Sequence, residues 1–169
     1  QMLTMTDELE NEWSWTWDGL DRNTSQTDAE EATTSFTYNE IGWLTQVTDA
    51  LDNDTDYTYN ERGWVTEVER PDPDDGGDLT RQTSNYDYNA VGQVIEEGQP
   101  TMLSTPVTYE YDDAGRMTAK MGPNSEINGT LWTYDNLGRV TKETTAVGSD
   151  YRYVKHVYNS RGWETSTIQ

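Results

Sequence analysis

The chain has 169 residues and a formal net charge of −21, from 11 basic and 32 acidic side chains, with no cysteine. That balance excludes the clustered Lys and Arg that nucleic acid or an anionic membrane surface requires, and the missing thiols exclude a disulfide framework and cysteine chemistry. Leu, Ile, Val and Phe total only 24, a composition that alone points to disorder, but seven Trp and eleven Tyr recur at fixed spacing and supply the apolar faces of a fold.

Residues 1–7 can be laid on residues 43–49 without gaps, so the chain is expected to open on the second strand of a repeat. It begins at Gln1 without an initiator Met, as a mature product or an excised fragment does, and no stretch is apolar over the length of a membrane span. One pattern then appears seven times: aromatic, any residue, aromatic, Asp or Asn, two residues, Gly, and a short run of strand formers. The copies start at Trp15, Phe36, Tyr57, Tyr86, Tyr109, Trp132 and His156. Their second aromatics are Trp17, Tyr38, Tyr59, Tyr88, Tyr111, Tyr134 and Tyr158, at intervals of 21, 21, 29, 23, 23 and 24 residues.

The third copy shows the physics. Tyr57 and Tyr59 are two apart and project from one face of a strand. Asn60-Glu61-Arg62-Gly63 predicts a tight turn, with the Asn side chain bonded to its own backbone two residues on and the Gly at positive φ, a type I turn with a G1 bulge. Trp64 to Val68 returns antiparallel. Gly42, Gly92, Gly115, Gly138 and Gly162 take the place of Gly63 in other copies, while the first copy has Asp21 there. A second, more variable turn around Ala50-Leu51-Asp52-Asn53 leads to the next aromatic strand. The expected fold is all-β: a single array over 1–169 of seven tandem hairpins, starting and ending mid-repeat, in a continuous antiparallel sheet. The aromatic stripe is expected to be core. Simple alternation puts Thr66 and Val68 with Trp64 and Val65 opposite, which predicts apolar groups on both faces.

The units YEYDDAGRMT and WTYDNLGRVT, with Tyr111-Asp112 and Tyr134-Asp135, closely resemble the YD repeats of the Rhs family, which includes bacterial Rhs and wall-associated proteins, toxin-complex shell subunits and animal teneurins. The resemblance covers essentially the whole chain. It implies a spiralling sheet that forms a hollow shell, and secretion or surface display. The sequence departs from the family pattern after the turn Gly, where Arg is kept at Arg116 and Arg139 but replaced by Trp43, Trp64, Trp163 and Gln93.

Little else points to chemistry. His156, the only His, occupies an aromatic position of the last copy and reads as a Tyr substitute in the stripe. One His and no Cys leave no zinc site and no nucleophilic dyad. The insertion behind the 29-residue interval carries Asp72, Asp74, Asp75 and Asp78 with two glycines, weak candidate ligands for calcium; no other cofactor is implied. Asn23, Asn53 and Asn128 head Asn-x-Ser/Thr sequons, candidate glycosylation sites in or near predicted turns. The reading is a non-catalytic structural repeat protein of an extracellular or cell-surface assembly, a fibre or shell wall, that self-associates through open sheet edges. Two alternatives stand: a glycan-binding adhesin, with Trp13, Trp43 or Trp64 left accessible, and the shell fragment of a larger toxin-delivery protein.

Overall fold

The computed structural model describes residues 3–74, 81–98, 105–122, 128–147 and 150–168. All its regular structure is β: among the described residues there is no helix, and so none long and apolar enough to cross a membrane. The strands follow chain order, each hydrogen-bonded to the next, as expected of a hairpin meander. The chain forms two compact units, residues 1–84 and 85–169.

The first unit contains β1 (Thr4–Thr6), β2 (Glu12–Trp17), β3 (Asn23–Thr27), β4 (Thr33–Tyr38), β5 (Leu44–Thr48), β6 (Asp54–Tyr59), β7 (Val65–Glu69) and the start of β8 (Thr83–Tyr88). Thr, Val, Tyr and Trp dominate these segments, the residues that suit a pleated surface. Turns begin at Asp7, Asp18, Asp28, Asn39, Asp49 and Asn60, so a reversal comes every ten or eleven residues. All six close alike, with the first residue's N–H bonded to the carbonyl four residues on and the fourth residue's N–H bonded back to the first residue's carbonyl, as in Asn60 N to Trp64 O and Gly63 N to Asn60 O, both 3.0 Å. The second turns at Asp7, Asp28 and Asp49 are therefore as regular as the first turns, because Glu10, Glu31 and Asp52 take the positive φ (63–65°) that glycine takes elsewhere, as Asp21 does in the first copy. The expected variability falls on the next second turn, the long connection from β7 to β8, whose base is closed by the Arg70 N–H on the Gln82 carbonyl at 2.8 Å.

The second unit contains the rest of β8 and then β9 (Val94–Gly98), β10 (Val107–Tyr111), β11 (Met117–Met121), β12 (Asn128–Tyr134), β13 (Val140–Val147), β14 (Asp150–Tyr158) and β15 (Glu164–Ile168). Turns starting at Asn89, Asp112, Asp135 and Asn159 close in the same way.

Each first-type hairpin is bulged beside its second aromatic. In β6–β7, Thr58 faces Glu67, but Tyr59 faces Val65, one residue out of step. Directly opposed residues share a face. Val65 and Val68 thus both lie on the side of Tyr59 and Tyr57, which corrects the alternation expected from sequence: the bulge turns Val65 over. Leu44 and Val47 join Tyr38 and Phe36 in the same way. The other face of the first unit is a grid of hydroxyls, amides and acids, including Ser14, Thr16, Ser25, Thr27, Thr33, Ser35, Thr37, Gln46, Thr48, Asp54 and Asp56.

The aromatic stripe is only half-buried. Among the described residues no large side chain is fully buried, and the buried apolar residues are Val107 and Ala119. This corrects the expectation of a core: the stripe is covered by its own neighbours along the sheet, with no second layer within either unit.

Candidate functional site

What recurs with fixed geometry is a lock between successive repeats. Its base is the turn. The side-chain oxygen of the leading Asp or Asn accepts the N–H groups two and four residues on: Asp135 Oδ1 from Leu137 (2.9 Å) and Arg139 (3.0 Å), Asn60 Oδ1 from Arg62 (3.0 Å) and Trp64 (3.1 Å). Two backbone donors at a tight reversal are satisfied without water.

The tyrosines join one repeat to the one before. The Tyr134 hydroxyl donates to the carbonyl of Met117 at 2.6 Å, Tyr38 to Asn23 at 2.8 Å, Tyr59 to Leu44 at 2.6 Å, Tyr111 to Val94 at 2.9 Å and Tyr158 to Val140 at 2.8 Å. In every case the acceptor is the second residue after the preceding turn Gly or its Asp21 equivalent. Trp17 and Tyr88 hold the equivalent places on β2 and β8.

The residue after the turn Gly completes the lock. Arg116 donates from Nε to its own turn acid, Asp112 Oδ2 (2.7 Å), from Nη1 to the carbonyl of the next turn's Asp135 (3.1 Å), and lies 4.6 Å over the Tyr134 ring. Arg22 repeats this with Asp18 (2.6 Å), the Asn39 carbonyl (3.1 Å) and the Tyr38 ring (4.8 Å). Arg139 keeps the Asp135 pair (2.6 Å) and lies 4.4 Å over Tyr158, with Nη1 buried and unpartnered. Sequence reasoning counted only the arginines that follow a glycine and so missed Arg22; the Asx–x–x–x–Arg spacing was the signal. At two of the places where Arg is replaced, the side chain still reaches forward. Trp43 packs against Tyr59 with centroids 5.2 Å apart, and Gln93 donates to the Gly115 carbonyl at 2.8 Å.

The turn glycines have φ values of +79 to +93°, and the lock adds a second demand at Gly63. A Cβ there would lie 2.8 Å from Cζ2 of Trp43, so the preceding repeat's indole occupies the space a Cβ needs, whereas one on Gly115 would lie in ordinary contact, 3.4 Å from Nε2 of Gln93. Gly42, Gly138 and Gly162 face Arg22, Arg116 and Arg139 at 3.4–3.8 Å, and Gly92 has a φ of +90°.

Electrostatics follow the hydrogen bonds. The side chains of Arg116 and Arg139 hold the carboxyls of Asp112 and Asp135 below the usual carboxylate range. The Arg22 backbone N–H, ahead of its side chain, does so for Asp18, and the side-chain amides of Asn11 and Asn53 do so for Asp7 and Asp49. Burial raises Tyr59 and Tyr88. Tyr109 is pushed up to about 12, by burial first and then by its 2.8 Å hydrogen bond to Glu97.

The chain that carries this arrangement matches a known family. The teneurin YD-shell family matches residues 1–128. The chain belongs to that family. Among solved structures, it is similar to TcdB2–TccC3 without its hypervariable C-terminal region, at 17% identity, a TM-score of 0.63, and coverage of 89% of this chain and 10% of that one. It is also similar to the TcdB2–TccC3–Cdc42 structure (18% identity, TM-score 0.61; 89% and 10%) and to a Tc holotoxin pore of Photorhabdus luminescens (17%, 0.61; 89% and 10%). The chain thus spans about a tenth of the length of these structures. No curated protein matches it.

The remaining candidate residues have surroundings of their own. His156 lies on the aromatic face, its Nδ1 2.8 Å from Glu164 Oε1. Asn23 lies in β3 rather than a turn, its Oδ1 buried and unpartnered. Asn53 Nδ2 donates to both oxygens of Asp49, and Asn128 opens β12 exposed to solvent. For calcium, Asp75 and Asp78 lie outside the described residues; Asp72 accepts the Asp74 N–H at 3.2 Å. No group of three or more metal-ligating side chains occurs among the described residues. A guanidinium supplies the positive charge beside the insertion: Arg81 pairs with Asp56 at 2.7 Å and Glu69 at 3.4 Å, and donates to the Asp54 carbonyl at 2.7 Å. Trp13, Trp43 and Trp64, proposed sugar platforms, are half-buried, whereas Trp163 is 67% exposed.

Proposed function

We propose that this chain is a non-catalytic wall segment of a larger, secreted or surface-displayed YD shell. The observation that carries the reading is the pairing of a lock repeated along the sheet with the absence of any fully buried large side chain among the described residues. An enzyme places a few chemically special residues in a dry pocket, whereas here the same four roles recur along the chain. A one-layer sheet whose neighbours are tied by side chains is a wall, and its half-buried aromatic face is completed by curvature and by further repeats. The exposed apolar residues at the turn tips fit the same reading: Leu20, Ile41, Val91 and Leu137 occupy the third place of the turns that start at Asp18, Asn39, Asn89 and Asp135, where an adjoining coil of the wall covers them.

Electron microscopy of the longer protein that contains this segment tests the proposal. Hollow closed particles are expected. Open ribbons or filaments would overturn the shell and favour a second reading, a fibre, which the unbroken succession of hairpins in the strand order supports.

A further inference from the structure

The two units differ sharply in charge. Residues 1–84 carry 21 acidic and 4 basic side chains, and residues 85–169 carry 11 and 7. They differ as well on the face opposite the aromatic stripe. In the second unit the hydroxyl-and-acid grid gives way to rows that run Ala119, Leu131, Thr144, Tyr153 and Thr133, Lys142, Lys155 across adjacent strands. Tyr151 and Tyr153 are 68% and 44% exposed there.

Lys142 and Lys155 are direct cross-strand partners. Like charges in that register repel, and sheets generally avoid them. Neither lysine has a carboxylate within ion-pair distance among the described residues; both ammoniums instead lie over the Tyr153 ring, at 5.1 and 5.6 Å from its centroid. Both stand two register places beyond Tyr153, away from Tyr151, and the Tyr153 side chain keeps its exposure with both ammoniums beside it. A chain with 32 acids has kept two adjacent lysines free of them beside two exposed aromatic rings.

We infer that Lys142, Lys155, Tyr153 and Tyr151 form a binding site for a sparsely charged acidic glycan. The ammoniums take one carboxylate or sulfate, and the tyrosine rings, about 7 Å apart along β14, stack on the adjoining sugars. A flat aromatic platform suits a pyranose face, while an acidic peptide would use the lysines alone. Two ammoniums side by side match a single acidic group, which restricts the ligand to isolated charges.

The test is an NMR-detected titration of the full 169-residue chain with sialyllactose, lactose sulfate, lactose and tetraglutamate. Sialyllactose or lactose sulfate, whichever carries the matching acid, is expected to shift Tyr151 and Tyr153 and to bind at least about tenfold more tightly than lactose, the worth of one charge-assisted contact. Lys142→Gln with Lys155→Gln is expected to reduce the acidic sugar to the affinity of lactose. Tyr153→Phe keeps binding and Tyr153→Ala abolishes it, with an unchanged circular dichroism spectrum showing that the sheet is intact. Equal binding of tetraglutamate with no effect of Tyr153→Ala would reassign the patch to acidic peptides and overturn the inference, as would the absence of any shift with either acidic sugar.

Discussion

Gly63→Ala isolates what the lock demands of its glycines. Gly63 has a φ of +81°, and a Cβ there would meet Cζ2, Cε2 and Cη2 of Trp43 at 2.8, 3.1 and 3.4 Å. Gly42 has a similar φ of +93°, but its nearest neighbour is the flexible Arg22 Nη1 at 3.8 Å. Both substitutions incur the cost of a left-handed Ala, about 1–2 kcal/mol, partly offset by the stiffer unfolded chain. Only Gly63→Ala must also displace an indole wedged against Tyr59, an overpacking cost of about 1–3 kcal/mol. Gly42→Ala should therefore lower the stability of the first unit by about 1 kcal/mol and Gly63→Ala by about 2–4 kcal/mol. Urea unfolding followed by tryptophan fluorescence reads both, the stronger variant moving the midpoint lower by about 1 M or more. In the Trp43→Ala background the excess of Gly63→Ala should vanish, giving a coupling of about 1–3 kcal/mol. If the two glycine variants cost the same, the Trp43 contact does not constrain the turn, and this account of the lock is wrong.

Other expectations follow from the same geometry. Glu31→Gly relieves a non-glycine residue at φ +65° and should stabilise the first unit by about 1 kcal/mol, whereas Glu31→Ala should bring no gain, again by urea unfolding. Tyr134→Phe removes the donor to the Met117 carbonyl and should cost about 0.5–1.5 kcal/mol, read as a lower thermal midpoint with an unchanged spectrum. Asp112 and Asp135 have folded-state pKa values below their ordinary ones, so their contribution is present above the ordinary pKa and is lost as pH falls through the lowered value. Circular dichroism against pH should thus show acid unfolding below about pH 4, and Asp112→Asn with Asp135→Asn should flatten that limb. Absorbance titration of the tyrosines should show a late component near pH 12 that Tyr109→Phe removes.

Most of the fold was legible because turn chemistry is local. The Asx residue and Gly63 fixed a bulged hairpin before any tertiary contact was considered, and the turns close with the expected hydrogen bonds. The facing of Val65 was misjudged although the bulge was expected, because strict alternation was carried through it, whereas the pairing of Tyr59 with Val65 puts Val65 on the aromatic face. The burial of the stripe was misjudged for a different reason. Sequence shows that Tyr57 and Tyr59 share a face, but whether another layer covers that face is a tertiary fact. The Lys142–Lys155 pair was invisible because its members are thirteen residues apart and meet only through the register of β13 with β14.

The substitutions after the turn Gly show what the lock conserves. Arg116 acts through charge, a carbonyl bond and a ring contact together, yet Trp43 retains the ring contact and Gln93 the carbonyl bond. What Arg116, Trp43 and Gln93 share is length: each crosses from its own strand to the next repeat. Tyr and Asx have no comparable freedom in most copies, because the hydroxyl must reach one particular carbonyl and the side-chain oxygen must accept two particular N–H groups. Variation therefore collects at the one lock position defined by reach rather than by donor geometry. A repeat with Ala in the place of Trp43 should keep its turn but lose its hold on its neighbour, so cooperativity between hairpins should weaken before either hairpin does.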